Sequence, residues 1–277
     1  MLHGDLLGER ARLTPVKTAL VDVATGRRYS YADLDGRASG TARFLHADLG
    51  LAKGDRLGLL AGNSVEFLDL FFAVAKAGVI LVPLSTRLAA HELEFVVRDS
   101  GVRVLIYDHT TIDTVRALRD GVRTAPARSV ERWVTIDERA VEGDDVLADR
   151  VSLSASIPWS PLRSDPEDPY CLLYTSGTTG QPKGVIVPHR MVTWNGYNTV
   201  IGWQLREDDV SPIFTPLYHA GALGAFLIPI FTIGGTIVLH RGFDASEVWR
   251  TIEAESNSAA PPIPTANEAS TCRRVGS

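Results

Sequence analysis

Residues 170–187 read YCLLYTSGTTGQPKGVIV. Two apolar runs, 170–174 and 185–187, enclose a ten-residue stretch, TSGTTGQPKG, that holds three glycines, four hydroxyl side chains and one lysine. Short apolar runs bounded by turn residues read as strands buried on both faces. Flexible Gly/Ser/Thr linkers are rarely wedged between two buried strands, so the loop needs another explanation. Gly177, Gly180 and Gly184 allow positive φ and remove side chains that would hold an anion away. Successive backbone N–H groups in such a loop can converge on anionic oxygens. Thr175, Ser176, Thr178 and Thr179 add hydroxyl donors and Lys183 adds a mobile positive charge. The expectation is a polyphosphate cradle between two strands. It is not the Walker A loop, because Gln181 and Pro182 separate Gly180 from Lys183.

Working outward, short apolar runs alternate with amphipathic stretches. Strands are expected at 56–61, 79–82, 102–107, 133–136, 171–175, 184–187, 210–214 and 236–239. Ser30 and Asp33 form an S-x-x-D capping box ahead of a helix whose Leu34, Ala38, Thr41 and Leu45 share one face. Ser64 caps a second helix carrying Phe67, Leu68, Phe71, Phe72 and Ala75, which Gly78 closes; a third covers 91–99. Strands separated by helices of this length imply right-handed crossovers and an α/β fold, a mainly parallel sheet covered on both faces.

The 277 residues can bury a substantial core, and 45% hydrophobic with 22% charged residues is ordinary for a globular chain. A net charge of -5 gives no reason to expect a nucleic-acid partner. Cys171 and Cys272 lack a CxxC partner, so neither zinc nor a disulfide framework is expected, and Cys171 reads as a small buried hydrophobe. The seven histidines show no metal-ligand spacing. Asp5, Glu9 and Arg10 interrupt what a signal peptide would need, which makes the cytoplasm the default. Residues 220–239 run 20 residues without a charge, long enough to span a membrane. Five helix breakers, Gly221, Gly224, Pro229, Gly234 and Gly235, favour a buried helix, a glycine turn and a buried strand instead of a transmembrane segment. Prolines 158, 161, 166 and 169 mark 155–169 as a surface connection, and 256–277, rich in Ser, Ala, Pro and Thr, reads as a disordered tail.

The segment YTSGTTGQPKGV (174–185) resembles the signature loop of the adenylate-forming superfamily, which comprises acyl-CoA synthetases, luciferases and peptide-synthetase adenylation domains. Weaker similarity lies in YSYADLDGRA (29–38), FFAVAKAGVILVPLS (71–85) and TPLYHAGALG (215–224). The resemblance implies the N-terminal large domain of that fold over residues 1–255, incomplete, with the family pattern stopping near Glu255 and 256–277 arising from a frameshift or truncated reading frame. It implies a two-step ligation: a carboxylic acid, fatty or aryl, attacks the α-phosphate of ATP with magnesium to give an acyl-adenylate, and coenzyme A then displaces AMP. By motif position Thr175, Ser176, Gly177, Thr178, Thr179, Gly180 and Lys183 hold the triphosphate, and His219 is the histidine of the acyl- and aryl-CoA synthetases beside the substrate carboxylate. The string Phe243-Asp244-Ala245-Ser246 matches amino-acid adenylation domains but lies beyond a strand and opens a helix, with Glu247 three residues on, so Asp244 reads as a cap. The competing readings are an inactive nucleotide-binding remnant and an amino-acid adenylation fragment; oligomeric state is open.

Overall fold

A computed structural model describes residues 5–124, 130–137, 140–148, 151, 159–175 and 182–256. The chain enters through helix α1 (Leu6–Leu13), strands β1 (Thr18–Asp22) and β2 (Arg27–Ser30), and helix α2 (Tyr31–Ala47). Then come β3 (Arg56–Leu60), α3 (Val65–Ala77), β4 (Ile80–Pro83), α4 (Ala90–Ser100), β5 (Val104–Tyr107), α5 (Ile112–Thr124), β6 (Arg132–Thr135) and β7 (Asp145–Val146). The loop strands are β8 (Pro169–Thr175) and β9 (Lys183–Pro188), followed by α6 (His189–Trp203), β10 (Val210–Ile213), α7 (Ile228–Ile233), β11 (Thr236–Leu239) and α8 (Ala245–Ser256).

These strands make two sheets, where the sequence pattern suggested one. The larger runs β7-β6-β5-β3-β4-β8-β9 and is parallel except for β9, which returns antiparallel to β8. The smaller runs β10-β11-β1-β2, parallel except for β2. All eight expected strands form, but β9 is exposed from Lys183 to Ile186 instead of buried, because it is the edge strand of its sheet. Three others, β1, β2 and β7, lack a long apolar run: β2 exposes Arg27 and Arg28, and β7 has two residues.

Side-chain alternation sorts the larger sheet's faces. Val104 and Ile106 point into one hydrophobic cluster, Leu105 and Tyr107 into another. The first cluster continues through Leu34, Ala38, Phe44 and Leu45 of α2 and nearly all of α3 to Leu20, Ile213 and Ile237 of the smaller sheet. Helices α2 and α3 thus lie in one continuous core with both sheets. The second cluster holds Leu93, Val96 and Val97 of α4 and Val115 and Leu118 of α5, which cover the far face.

The caps explain where the helices start and stop. Ser30 and Asp33 form the expected reciprocal box, Ser64 accepts from Phe67 N–H, and Gly78 closes α3 at φ 67°. Lys76, on otherwise apolar α3, is only 1% exposed and lies 2.6 Å from both Asp5 and Asp35, joining α1, α2 and α3. A bidentate Arg37–Asp69 pair at 3.0 and 2.6 Å adds a second tie between α2 and α3.

The uncharged run 220–239 divides as expected except at its start. Residues Gly221–Leu227 form a π-helix, Ile228–Ile233 an α-helix, Gly234 turns at φ 81°, and β11 follows, fully buried. Among the described residues no helix is long and apolar enough to cross a membrane. The tail 257–277 lies outside the described residues.

Candidate active site

Strand β8 pairs with β4 in parallel and with β9 antiparallel, so its carboxyl end points the same way as those of β3, β4, β5 and β6. Thr175 and Lys183 face each other as the last register pair of the hairpin. The intervening chain therefore departs and returns at one point on the sheet's carboxyl edge, where open α/β sheets bind ligands. Of the expected phosphate ligands, Thr175 and Lys183 are placed and exposed, while Ser176, Gly177, Thr178, Thr179 and Gly180 lie outside the described residues. Gly184 differs from expectation. It is not among the positive-φ glycines; it is a strand residue over which Tyr174 lies, so that a Cβ at 184 would meet the Tyr174 ring at 3.0 Å. Tyr174 is held there by donating to Asp99 at 2.6 Å; burial, then that bond, pushes its phenol pKa up.

Asn63 organises the opposite side. It sits between β3 and the cap Ser64 and is 4% exposed. Its side-chain amide donates to Thr215 O and His240 O, both at 3.0 Å, and its Oδ1 accepts from Leu217 N–H at 2.8 Å. Arg241 donates to its backbone oxygen at 2.8 Å. Thr215 and Leu217 follow β10, and His240 follows β11, so one side chain joins the carboxyl ends of both sheets. Sequence reasoning did not single out Asn63, which falls between the expected strand and the cap Ser64. A cavity of about 400 Å³ opens at this junction, bordered by Thr86, Arg87, Pro216, Tyr218 and Arg241.

The turn that Asn63 fixes carries His219, whose N–H donates to Pro216 O at 3.0 Å. The His219 ring is exposed and lies 4.7 Å from that of buried Tyr218. Immediately after it, Ala220, Leu223 and Gly224 line an apolar cavity of about 190 Å³. Leu173 of β8 and Val187 of β9 line the same cavity, as does Cys171. Both strands of the loop hairpin and the segment behind His219 therefore meet around one hole. Asn195 donates to Gly224 O at 2.6 Å, tying α6 to the π-helix, and π-helical turns are frequent at functional sites.

Among the described residues no charged side chain lines this cavity. Cys171 is buried, and burial pushes its thiol up to about 12, which leaves it protonated and unsuited to nucleophilic work. Asp244 accepts from Glu247 N–H at 2.8 Å, capping α8 as expected, and does not line the cavity.

The fold and these surroundings define an α/β domain with a strand hairpin at the carboxyl edge of its larger sheet, beside an apolar cavity. The chain belongs to the AMP-binding enzyme family, whose model matches residues 7–270. It is 35% identical over 263 residues to long-chain-fatty-acid–CoA ligase FadD13 of Mycobacterium tuberculosis, spanning 94% of this chain and 49% of that protein. It is 34% identical over 261 residues to a feruloyl-CoA synthase of Amycolatopsis sp, spanning 94% and 48%. The inhibitor-bound N-terminal domain of FACL13 from Mycobacterium tuberculosis superposes with a TM-score of 0.77 at 34% identity, covering 91% of this chain and 60% of that one. The chain spans about half the length of the curated relatives it matches.

Proposed function

We propose that this chain carries the ATP and acid sites of an acid–thiol ligase: a carboxylic acid is activated to its acyl-adenylate, and the acyl group then passes to coenzyme A. The supporting observation is the convergence just described, in which the two strands of the loop hairpin and the segment after His219 share one uncharged cavity. An uncharged hole suits the apolar body of an acid, while its carboxylate is left at the rim toward His219 and the loop.

In the first step a carboxylate oxygen attacks the α-phosphate and pyrophosphate leaves. Charge builds on the phosphate oxygens, so donors fixed in advance lower the barrier. Thr175, Ser176, Gly177, Thr178, Thr179, Gly180 and Lys183 are assigned to the triphosphate, with Lys183 anchored at the first residue of β9. Magnesium, arriving with ATP, would supply charge neutralisation on the triphosphate. His219 is assigned to the acid's carboxylate end, and no protein nucleophile is required.

Calorimetric titration with MgATP tests the assignment. Lys183→Ala removes one charge-assisted contact, worth about 1.5–3 kcal/mol, and should weaken binding about tenfold or more. Equal affinity in both proteins would refute the role of Lys183.

A further inference from the structure

The 190 Å³ cavity behind His219 has a neighbour. A second cavity of about 410 Å³ lies against α1, lined by Leu6, Leu13 and Phe72 together with Arg10, Thr193 and Tyr197. Three side chains line both: Tyr170, Val192 and Ile228. They form the partition between the two spaces. Tyr170 is held rigidly in it, because its hydroxyl donates to Phe71 O at 2.8 Å and its ring lies edge-on to Phe71 and His189, 4.9 Å from each. Ile228 is 3% exposed and packs at the close approach of α6 and α7, where a Cβ on Gly196 would meet its Cγ2 at 3.0 Å. Val192 is the half-buried member of the three.

We infer that this partition limits the acid: the site takes an aryl acid or a short aliphatic acid of about six carbons, and Tyr170, Val192 and Ile228 set the limit. The inference rests on the acid site proposed above. An apolar cavity of about 150 Å³ is enough for a benzene ring, so one ring or a comparable chain fills the 190 Å³ on this side of the partition. The two cavities joined would hold a chain several times longer, but the way is closed by a hydrogen-bonded tyrosine and two β-branched side chains, which have few rotamers with which to swing aside. Similarity alone does not decide the substrate, since a long-chain ligase and a feruloyl-CoA synthase match this chain about equally, at 35% and 34% identity.

The test is a chain-length series. Each buried methylene is worth about 0.8 kcal/mol, or about fourfold in affinity. Binding of butanoate, hexanoate, octanoate, dodecanoate, hexadecanoate and cinnamate to the 277-residue chain is followed by calorimetry in the presence of MgATP. Affinity should climb to about hexanoate and then level or fall, with cinnamate among the tight binders. Val192→Ala should move the break to longer acids, raising dodecanoate affinity about tenfold while leaving cinnamate nearly unchanged; Ile228→Val, a milder cut at a more buried position, should move it in the same direction. A climb that continues through dodecanoate and hexadecanoate in the unmodified chain overturns the limit but leaves the acid site standing. A break that neither variant moves overturns the role of the partition. If no acid binds any of the three proteins, the acid site itself is refuted and the limit with it.

Discussion

Replacing Asn63 by alanine should damage the junction more than any other single polar truncation around the site. The side chain makes three hydrogen bonds, donating to Thr215 O and His240 O and accepting from Leu217 N–H. The bond to half-buried Thr215 is worth about 1 kcal/mol net, and the two whose buried partners are left orphaned cost about 1–2 kcal/mol each. Leu217 and His240 are both fully buried, so water cannot readily replace the lost partner. The expected loss is about 3–5 kcal/mol, or about 10 °C in melting temperature for a domain of this size. Urea titration monitored by tryptophan fluorescence measures it, with the slope unchanged and the midpoint lowered. Asn63→Asp is the informative control. It keeps the acceptor for Leu217 but loses both donations and sets a carboxylate against two carbonyl oxygens, so it should be no more stable than the alanine variant. A loss below about 1 kcal/mol for alanine, or a fully stable aspartate variant, would refute the claim that one amide joins the two sheets.

Other residues give sharper or simpler outcomes. Gly235→Ala places a Cβ 2.6 Å from the backbone oxygen of Asp209, an atom that cannot rotate away, and should cost about 1–3 kcal/mol by denaturant unfolding. Stability should also pass through a maximum in mildly acidic solution. Asp33, Asp168 and Asp244 are held below the usual carboxylate range, by Ser30, Lys53 and the Glu247 N–H respectively. Their unfolded forms bind protons more readily, so their contribution is present above about pH 4 and is lost as the pH falls further. Burial outweighs Arg37 at Asp69 and pushes that carboxyl up to about 7; the folded chain keeps its proton, so this contribution is present below about pH 4 and is lost as pH rises toward 7. Unfolding midpoints from pH 3 to 8 should therefore peak near pH 5, and Asp69→Asn should remove the decline between pH 5 and 7 while leaving the acid limb.

What could be read from the sequence follows from local physics. Strands β3, β4, β5 and β11 are buried along nearly their whole length, which leaves continuous apolar runs, and Ser30, Ser64 and Asp244 cap through bonds within three residues. The division into two sheets was not legible. It depends on β1 pairing with β11, and on contacts such as Thr236 Oγ1 to Thr18 O across 218 residues. Strand β1 holds only three consecutive apolar residues before Asp22, and β2 is a charged edge, so neither leaves a continuous apolar run. The loop between β8 and β9 was legible as a feature of the sequence because composition alone marks it. The cavity was not, since its walls come from α3, β8, β9, α6 and the π-helix. Asn63 and Lys76 were invisible for a related reason: a polar side chain shows a structural role only once distant segments close around it.

The most direct test of the site is a crystal structure of the chain soaked with MgATP and a short aryl acid. The triphosphate should lie at the carboxyl end of β8 and the amino end of β9, with backbone N–H groups of residues 177–180 and Lys183 Nζ about 3 Å from its oxygens, and the acid's ring should sit in the hole behind His219. Phosphates ordered elsewhere, with the turn between Thr175 and Lys183 making no contact to them, would contradict the assignment outright.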